Sequence, residues 1–430
     1  MAGSDTRING RRARRGFAAV LGALDPRRLM RERAHEGPQP AGGRTAVLAV
    51  GKAAAGMLAG WLEAVAPAPG PEVEIVLVTP QGAPELPPEL RARYRERLSI
   101  ITAGHPQPDA RSLEAGEALL AAADRLRRPD DLLVALVSGG GSALAEAPDS
   151  GGVAGMQRRN QALIAAGAPI GDINLIRRYH SRLKGGRLAA AAAGARQSSW
   201  ILSDMPTGEW QQVASGPTTR DTATPADYAT ALRRWLPGER PAAAAAAPWP
   251  DDSCFDGAEW RLLADNHAAC AALAESLRAA GYGPVEIDHG GDEMEWPAAV
   301  LYLASRWRKL CAASPRAALV AGGEVRVRLP RGAGTGGRNQ QLALAVALAL
   351  EGEPFTFFSA GTDGVDGNST AAGACVSGAT AARIRAAGLD PAEHLRRCDA
   401  TPALAAAGAL VETGPTGNNL RDLRLFLPGA

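Results

Sequence analysis

Lysine is nearly missing from this sequence. Of the 47 basic residues among 430, only Lys52, Lys184 and Lys309 are lysine, and the other 44 are arginine. Cysteine is also sparse. Cys254, Cys270, Cys311, Cys375 and Cys398 are odd in number and contain no C-x-x-C pair. That excludes a zinc-ribbon framework and predicts reduced thiols in a cytoplasmic protein. No run approaches the ~18 consecutive apolar residues of a membrane-spanning helix, so no membrane association is expected. Neither sign of charge is in excess, because 47 basic and 45 acidic side chains leave a net charge of +2. A general nucleic-acid partner therefore has no electrostatic footprint.

What is present is an ordinary globular composition, 46% apolar and 21% charged. The length predicts two or three domains. Near the N-terminus, RRARRGFAAVLGAL has a twin-arginine look, but it runs into Asp25-Pro26-Arg27-Arg28 with no small-residue cleavage site. It reads as a first amphipathic helix.

Apolar runs then alternate with glycine-rich loops and helix-like stretches. TAVLAV (45–50), VEIVLV (73–78), LSIITAG (98–104), DLLVALV (131–137) and SSWILSD (198–204) read as strands. After a proline- and alanine-rich stretch, ERPAAAAAAPWPDD (239–252), the rhythm resumes. It continues with the helix DNHAACAALAESLRAAGY, capped by Asp265 or Asn266, and the strand AALVAGGE (317–324). VRVRLP alternates like an edge strand, and the helix QQLALAVALAL and the strand FTFFSAGTDG (355–364) follow. Continuous apolar strands separated by helices predict an α/β fold with largely parallel sheets. Two α/β domains are expected, 1–240 and 253–430, the first Rossmann-like, with an active site in the cleft between them.

Ligands of open α/β sheets bind at the carboxyl ends of strands, and the polar residues of interest lie there. SGGGS, from Ser138 through Gly139, Gly140 and Gly141 to Ser142, follows one strand and is expected to open a helix as an anion cradle. It is not a P-loop, because no G-K-[ST] follows at the required spacing. Lys52 stands one residue past a strand, where an ammonium opposes the helix dipole, so a compensating anion is expected. A lysine kept against a strong arginine bias suits a role that a planar guanidinium cannot fill. RGAGTGGRNQQ (331–341) sets Gly336, Gly337, Arg338 and Asn339 at a helix start, a second anion cradle with bidentate capacity. Glu324 ends the strand before it and joins the candidate substrate set. Asp363 and Asp366 in GTDGVDG, with Asp204 after ILS, are candidate ligands for a hard cation such as Mg²⁺, or else helix caps or proton acceptors. His105 follows a strand and could touch substrate. His180 and Lys184 fall at i,i+4 in RRYHSRLKGG, which predicts one shared helix face. Several anion cradles with carboxylates and little covalent machinery suggest phosphoryl transfer.

AVGKAA, TAGHPQPD, SGGGSAL, NLIRRYHSRLKGGRLA, SDMPTGEWQQVASGPTTRD, AGGEVRVRLPRGAGTGGRNQQ, SAGTDGVDGNSTAAGA and TGPTGNNLRDL, in that order, resemble the glycerate 2-kinases of the MOFRL type. The resemblance covers the chain from about residue 10 onward. It implies an ATP- and Mg²⁺-dependent kinase that makes 2-phosphoglycerate from D-glycerate. By motif match it places Lys52 and Arg338 nearest the transferred phosphoryl group, and makes Asp204 and Asp363 the metal or base candidates. Four segments depart from the usual pattern. Val325-Arg326 follow Glu324 where relatives read GGET[TS]V, and Gln341 stands where GGRNQE ends. SDMPTGE replaces SDVxGD, and GGDEMEW (290–296) replaces a GEAR-like stretch. The competing readings are an NAD(P)H-dependent hydroxypyruvate reductase and a non-catalytic small-acid-binding protein. Against the first, VGKAAAG lacks the leading glycine pair of a dinucleotide fingerprint. A homodimer is compatible with the sequence, which leaves the oligomeric state open.

Overall fold

A computed structural model describes residues 2–66, 72–149, 151–239 and 250–429. The chain divides into two compact units, Pro26–Leu263, and Met1–Asp25 together with Ala264–Ala430.

The first unit carries a six-stranded sheet of β1 (Thr45–Val50), β2 (Val73–Pro80), β3 (Leu98–Ala103), β4 (Leu132–Ser138), β5 (Arg196–Leu202) and β6 (Ala258–Ala264), in the order β3-β2-β1-β4-β5-β6. β1 to β5 pair in parallel. β1 and β4 are buried along their whole length, which is why they read as unbroken apolar runs. The core joins Leu48, Val78, Leu133 and Val137 to Leu119 and Ala123 of the helix Ala110–Asp124. That helix is fixed at its start by a capping box between Asp109 and Ser112. From β1 the chain winds outward to β2 and β3, then returns to β4 on the other side. The carboxyl ends of β1 and β4 therefore form the topological switch point, where such sheets bind ligands. Helices Gly152–Ala165, Ile170–Tyr179 and Pro225–Trp235 bury a separate small core around Leu163, Ile176, Tyr228 and Leu232.

The second unit holds β7 (Val285–Asp288), β8 (Ala318–Gly322), β9 (Phe355–Gly361), β10 (Gly373–Ser377), β11 (Leu410–Val411) and β12 (Asp422–Pro428), in the order β11-β10-β9-β12-β8-β7. Here only β7 and β8 pair in parallel, and the other four pairings are antiparallel. The expectation of largely parallel sheets is met in the first unit and corrected in the second. β9 is buried at every position although both its neighbours run against it. Burial on both faces produces an apolar run whatever the strand direction.

Two features lie across the expected domain boundaries. The first helix, Ala2–Ala23, belongs with the second unit, where Phe17 packs on Phe358 with ring centroids 5.2 Å apart. β6 belongs to the first sheet, so the first unit extends to Leu263 and not to 240. Most of the stretch expected as a linker, 239–252, lies outside the described residues. VRVRLP is not a strand; within it only Arg326 makes an isolated bridge, to Glu295. No helix among the described residues is long and apolar enough to cross a membrane.

Candidate active site

In the first unit the switch point draws three sequence-selected residues together. β1 leads into Gly51 and Lys52, and β4 leads from Ser138 into Gly139 and Gly140. Gly51 has φ +127°, and a Cβ there would lie 2.1 Å from Ser138 Oγ, so the two strand ends close only around glycine. The Lys52 amide donates to the Gly139 carbonyl at 2.9 Å, and the Ala53 amide donates to Ser138 Oγ at 3.1 Å. Ser138 is wholly buried and fastens backbone to backbone. Gly140 is half-buried at φ +86°. A side chain there would meet the His105 ring at 3.2 Å and Lys52 Cγ at 3.3 Å. Lys52 from β1 and His105 from beyond β3 thus flank the same bare glycine.

The helix expected after SGGGS is a single turn, Gly141–Leu144. Four residues carry little macrodipole. The longer helix Ala54–Val65 opens just past Lys52 with no side-chain cap, so its amide end and the ammonium supply the positive field. Gly141 packs on Ala214, where a Cβ would lie 2.6 Å from the Ala214 Cβ, and Ser142 Oγ is 2.7 Å from Ser215 Oγ. Ala214 and Ser215 sit at φ +52° and +63°. Such left-handed conformations cost on the order of 1–3 kcal/mol each and cluster at functional sites. Asp204 is half-buried just past β5, which pairs with β4 through Ser138 and Leu202.

His180 and Lys184 do not share a helix. The helix ends at Tyr179, because the His180 ring turns inward, with Nδ1 2.9 Å from Asp149 Oδ2 and Nε2 2.8 Å from the Tyr228 hydroxyl. Lys184 is buried in the following turn. Its ammonium donates to the Ser142 carbonyl at 2.9 Å and to the Glu146 carboxylate. Burial lowers its pKa to about 8 against the opposing pull of Glu146.

In the second unit the helix Arg338–Ala349 opens after Gly336 and Gly337. Asp366 lies so close that a Cβ on Gly337 would be 2.3 Å from its Oδ1. Asp366 Oδ1 accepts from the Asn339 amide at 3.1 Å and Nδ2 at 3.3 Å, and its Oδ2 accepts from the Gln340 amide at 2.8 Å and Nε2 at 3.1 Å. Asp366 is therefore the cap that Gly337 cannot supply, and Asn339 serves the same network, its Oδ1 accepting from Ser359 at 2.6 Å. Burial pushes the Asp366 pKa up to about 6 despite these donors. The folded state then holds this proton more tightly than the unfolded chain, whose aspartate titrates near ~3.9. Its contribution to stability should fall as pH rises from about 4 to 6. Asp366→Asn should flatten that part of a urea-denaturation pH profile, and an unchanged slope would show that Asp366 does not titrate there.

Arg338 points away from the cap. Its Nε donates to Asp422 Oδ2 at 2.7 Å and its Nη2 to Glu324 Oε1 at 2.6 Å, with the side chain 38% exposed. Burial opposes the guanidinium charge, but Asp422 and Glu324 raise its pKa well above the ordinary value. Asp363 follows β9, and its Oδ1 accepts from the Val365 amide at 3.2 Å. A Cβ on Gly361 would lie 3.1 Å from Asp363 Oδ1 and 3.4 Å from Asp422 Oδ1, so glycine keeps a small space open beside both carboxylates. Of the expected cation ligands Asp204, Asp363 and Asp366, the last is already engaged by four donors. Asp366 caps a helix, and no group of three or more His, Cys, Asp or Glu residues is gathered for a metal among the described residues.

Comparison with known proteins gives the family. Residues 12–247 match a family described as a domain of unknown function, DUF4147, and residues 317–422 match the MOFRL family. A D-glycerate 2-kinase of Thermotoga maritima is 35% identical over 77% of this chain and 80% of its own length. The chain belongs to the MOFRL-type glycerate 2-kinase family. The crystal structure of a Thermotoga maritima glycerate kinase superposes with a TM-score of 0.82 at 31% identity, covering 98% of this chain and all of that one. An Agrobacterium vitis protein provisionally named a hydroxypyruvate reductase is 37% identical over 97% of this chain and 94% of its own length.

Seen as a glycerate 2-kinase family member, the chain's departures have physical causes. Two of them meet in space: Arg326 Nη2 donates to Glu293 Oε2 at 2.9 Å. Glu293 and Asp292 also accept from Arg421, each at 2.6 Å, and the Glu324 amide donates to Asp292 at 2.8 Å. The altered acidic stretch thereby props Glu324 against Arg338. Gln341 is buried and its Nε2 donates to the Leu395 carbonyl at 2.9 Å. A glutamate here would lose that donor and bury a charge. Gln341→Glu should therefore cost about 1–3 kcal/mol in urea denaturation, and no loss would show that the buried site tolerates a carboxylate.

Sequence reasoning missed Glu146, Arg177, Asp422 and Arg421. Only Asp422 and Arg421 had a signal, as charged residues leading a strongly apolar run, NNLRDLRLF.

Proposed function

We propose that the chain transfers the terminal phosphoryl group of ATP to the 2-hydroxyl of D-glycerate. The observation that carries this reading is the meeting of Lys52, His105 and Gly140 at the switch point of a parallel sheet, which sets a lysine and a histidine against a bare glycine turn. Lys52 holds the anionic oxygens and neutralises charge developing on the moving group. His105 hydrogen-bonds substrate oxygen, and Arg338 binds a phosphoryl or carboxylate oxygen through its exposed edge. Asp204 orients the attacking hydroxyl and accepts its proton as the O2–P bond forms and the bond to ADP breaks. Mg²⁺ would be held by Asp363, a carboxylate that suits a hard ion completed by phosphate oxygens. When bound, it supplies charge neutralisation on those oxygens.

The name of the Agrobacterium relative keeps hydroxypyruvate reduction as a second reading. One pair of assays separates the two. ³¹P NMR of a mixture with ATP, Mg²⁺ and D-glycerate should show ADP and 2-phosphoglycerate. NADH absorbance with hydroxypyruvate should stay constant. Oxidation of NADH without ATP consumption would replace the kinase reading.

A further inference from the structure

We infer that Lys184, Arg177 and Glu146 form a buried clamp that positions the 138–142 turn from behind, with Lys184 acting through the Ser142 carbonyl and not on substrate. This rests on the phosphoryl-transfer reading of that turn.

Lys184 is 1% and Glu146 2% exposed, so neither reaches a ligand in solvent. Two cations converge on one carbonyl. Lys184 Nζ donates to the Ser142 oxygen at 2.9 Å and Arg177 Nη2 at 3.5 Å. Both also donate to the same oxygen of Glu146, Arg177 at 3.2 Å. Glu146 is in turn fixed to the helix Ala110–Asp124, since its amide donates to the Ser112 carbonyl at 2.9 Å. The clamp is therefore tied to the sheet's own layer of helices.

The same short segment grips the turn a second time. Gly185 and Gly186 amides donate to the Ser215 and Gly216 carbonyls at 3.1 and 2.7 Å. Ser215 meets Ser142 hydroxyl to hydroxyl, and Ala214 abuts Gly141. The left-handed backbone of Ala214 and Ser215 is held between these contacts. Two cations against one carboxylate leave one excess positive charge, buried behind the amides of the turn. Low dielectric makes that charge felt on the ligand side.

The position also explains a lysine in an arginine-rich chain. A guanidinium is larger and planar, and the Lys184 head group sits in a fully enclosed site sized for a compact ammonium. The charged groups facing the ammonium are Glu146 and Arg177. With a pKa near 8, the clamp should open as pH rises past that value.

The test compares wild type, Lys184→Met, Lys184→Arg and the neutral pair Lys184→Met/Glu146→Gln. The pair avoids an uncompensated buried carboxylate, so it should fold with a melting temperature near wild type. A misplaced loop commonly lowers rate by up to about 10²-fold. We expect a ~10- to 10²-fold lower kcat/KM for the pair, and a wild-type alkaline limb near pH 8 that is shifted in Lys184→Arg. A folded pair variant within two-fold of wild type, or an alkaline limb unmoved in Lys184→Arg, would overturn the clamp. If wild type itself forms no ADP from D-glycerate, the kinase reading fails separately. Line broadening of inorganic phosphate in ³¹P NMR then decides: weaker broadening by the pair variant supports the clamp, and equal broadening overturns it.

Discussion

Lys52→Ala should lower kcat by about 10²–10³-fold while leaving the melting temperature nearly unchanged. Removing one preorganised charge from a developing oxyanion commonly has that effect. Lys52 is partly exposed at the end of β1, and its backbone amide ties it to Gly139. Alanine preserves that amide bond, so the fold should persist. The loss should appear in kcat more than in KM for glycerate, because the ammonium acts most strongly on charge that develops during transfer. Lys52→Arg is the sharper variant. Gly140 lies against the base of the side chain, so a guanidinium should restore binding but only part of the rate. Near-normal turnover in Lys52→Ala would remove this residue from the chemistry and with it the main support for the proposed site.

The first sheet was readable because burial and direction coincide there. TAVLAV and DLLVALV are apolar throughout, and parallel strands demand that pattern, so the strand ends and the lysine after β1 followed from it. The second sheet shows the limit. FTFFSAG is as apolar as any parallel strand, yet its neighbours are antiparallel, because the pattern records burial and not polarity. β12 went unrecognised for the opposite reason. Asp422 and Arg424 interrupt its apolar run, and both are tolerated in a central strand because partners far away in the sequence satisfy them, Arg338 for one and the Gly322 and Gly323 carbonyls for the other. The expectation of a shared His180–Lys184 face failed on tertiary grounds too. Nothing in NLIRRYHSRLK breaks a helix before the glycines. It ends where Asp149 and Tyr228 capture the His180 ring. Asp366 shows that a carboxylate among glycines has two physical uses, and the bare Gly337 at the helix start decides for capping.

Arg338→Met should reduce both turnover and stability, and the two losses should be separable. Asp422 is fully buried, so removing its partner leaves a carboxylate without its main compensating charge; breaking such a pair typically costs about 3–5 kcal/mol. Burial alone would raise the Asp422 pKa, but Arg338 more than offsets it and holds the carboxyl below its ordinary value. The stabilisation from the pair is therefore complete above the unfolded aspartate value of about 3.9, and is lost as pH falls through the lower folded value. In Arg338→Met the sign reverses. Burial dominates, the carboxyl binds its proton more readily when folded, and the variant should gain stability as pH is lowered from neutral. The gap to wild type should narrow in acid, which urea denaturation at a series of pH values can follow. Arg338→Met/Asp422→Asn removes the stranded charge and should recover most of the stability at pH 7. It should not recover the ~10²–10³-fold loss in kcat expected from deleting the guanidinium. If the double variant regains both, Arg338 does no more than neutralise Asp422, and the phosphoryl group must be stabilised without it.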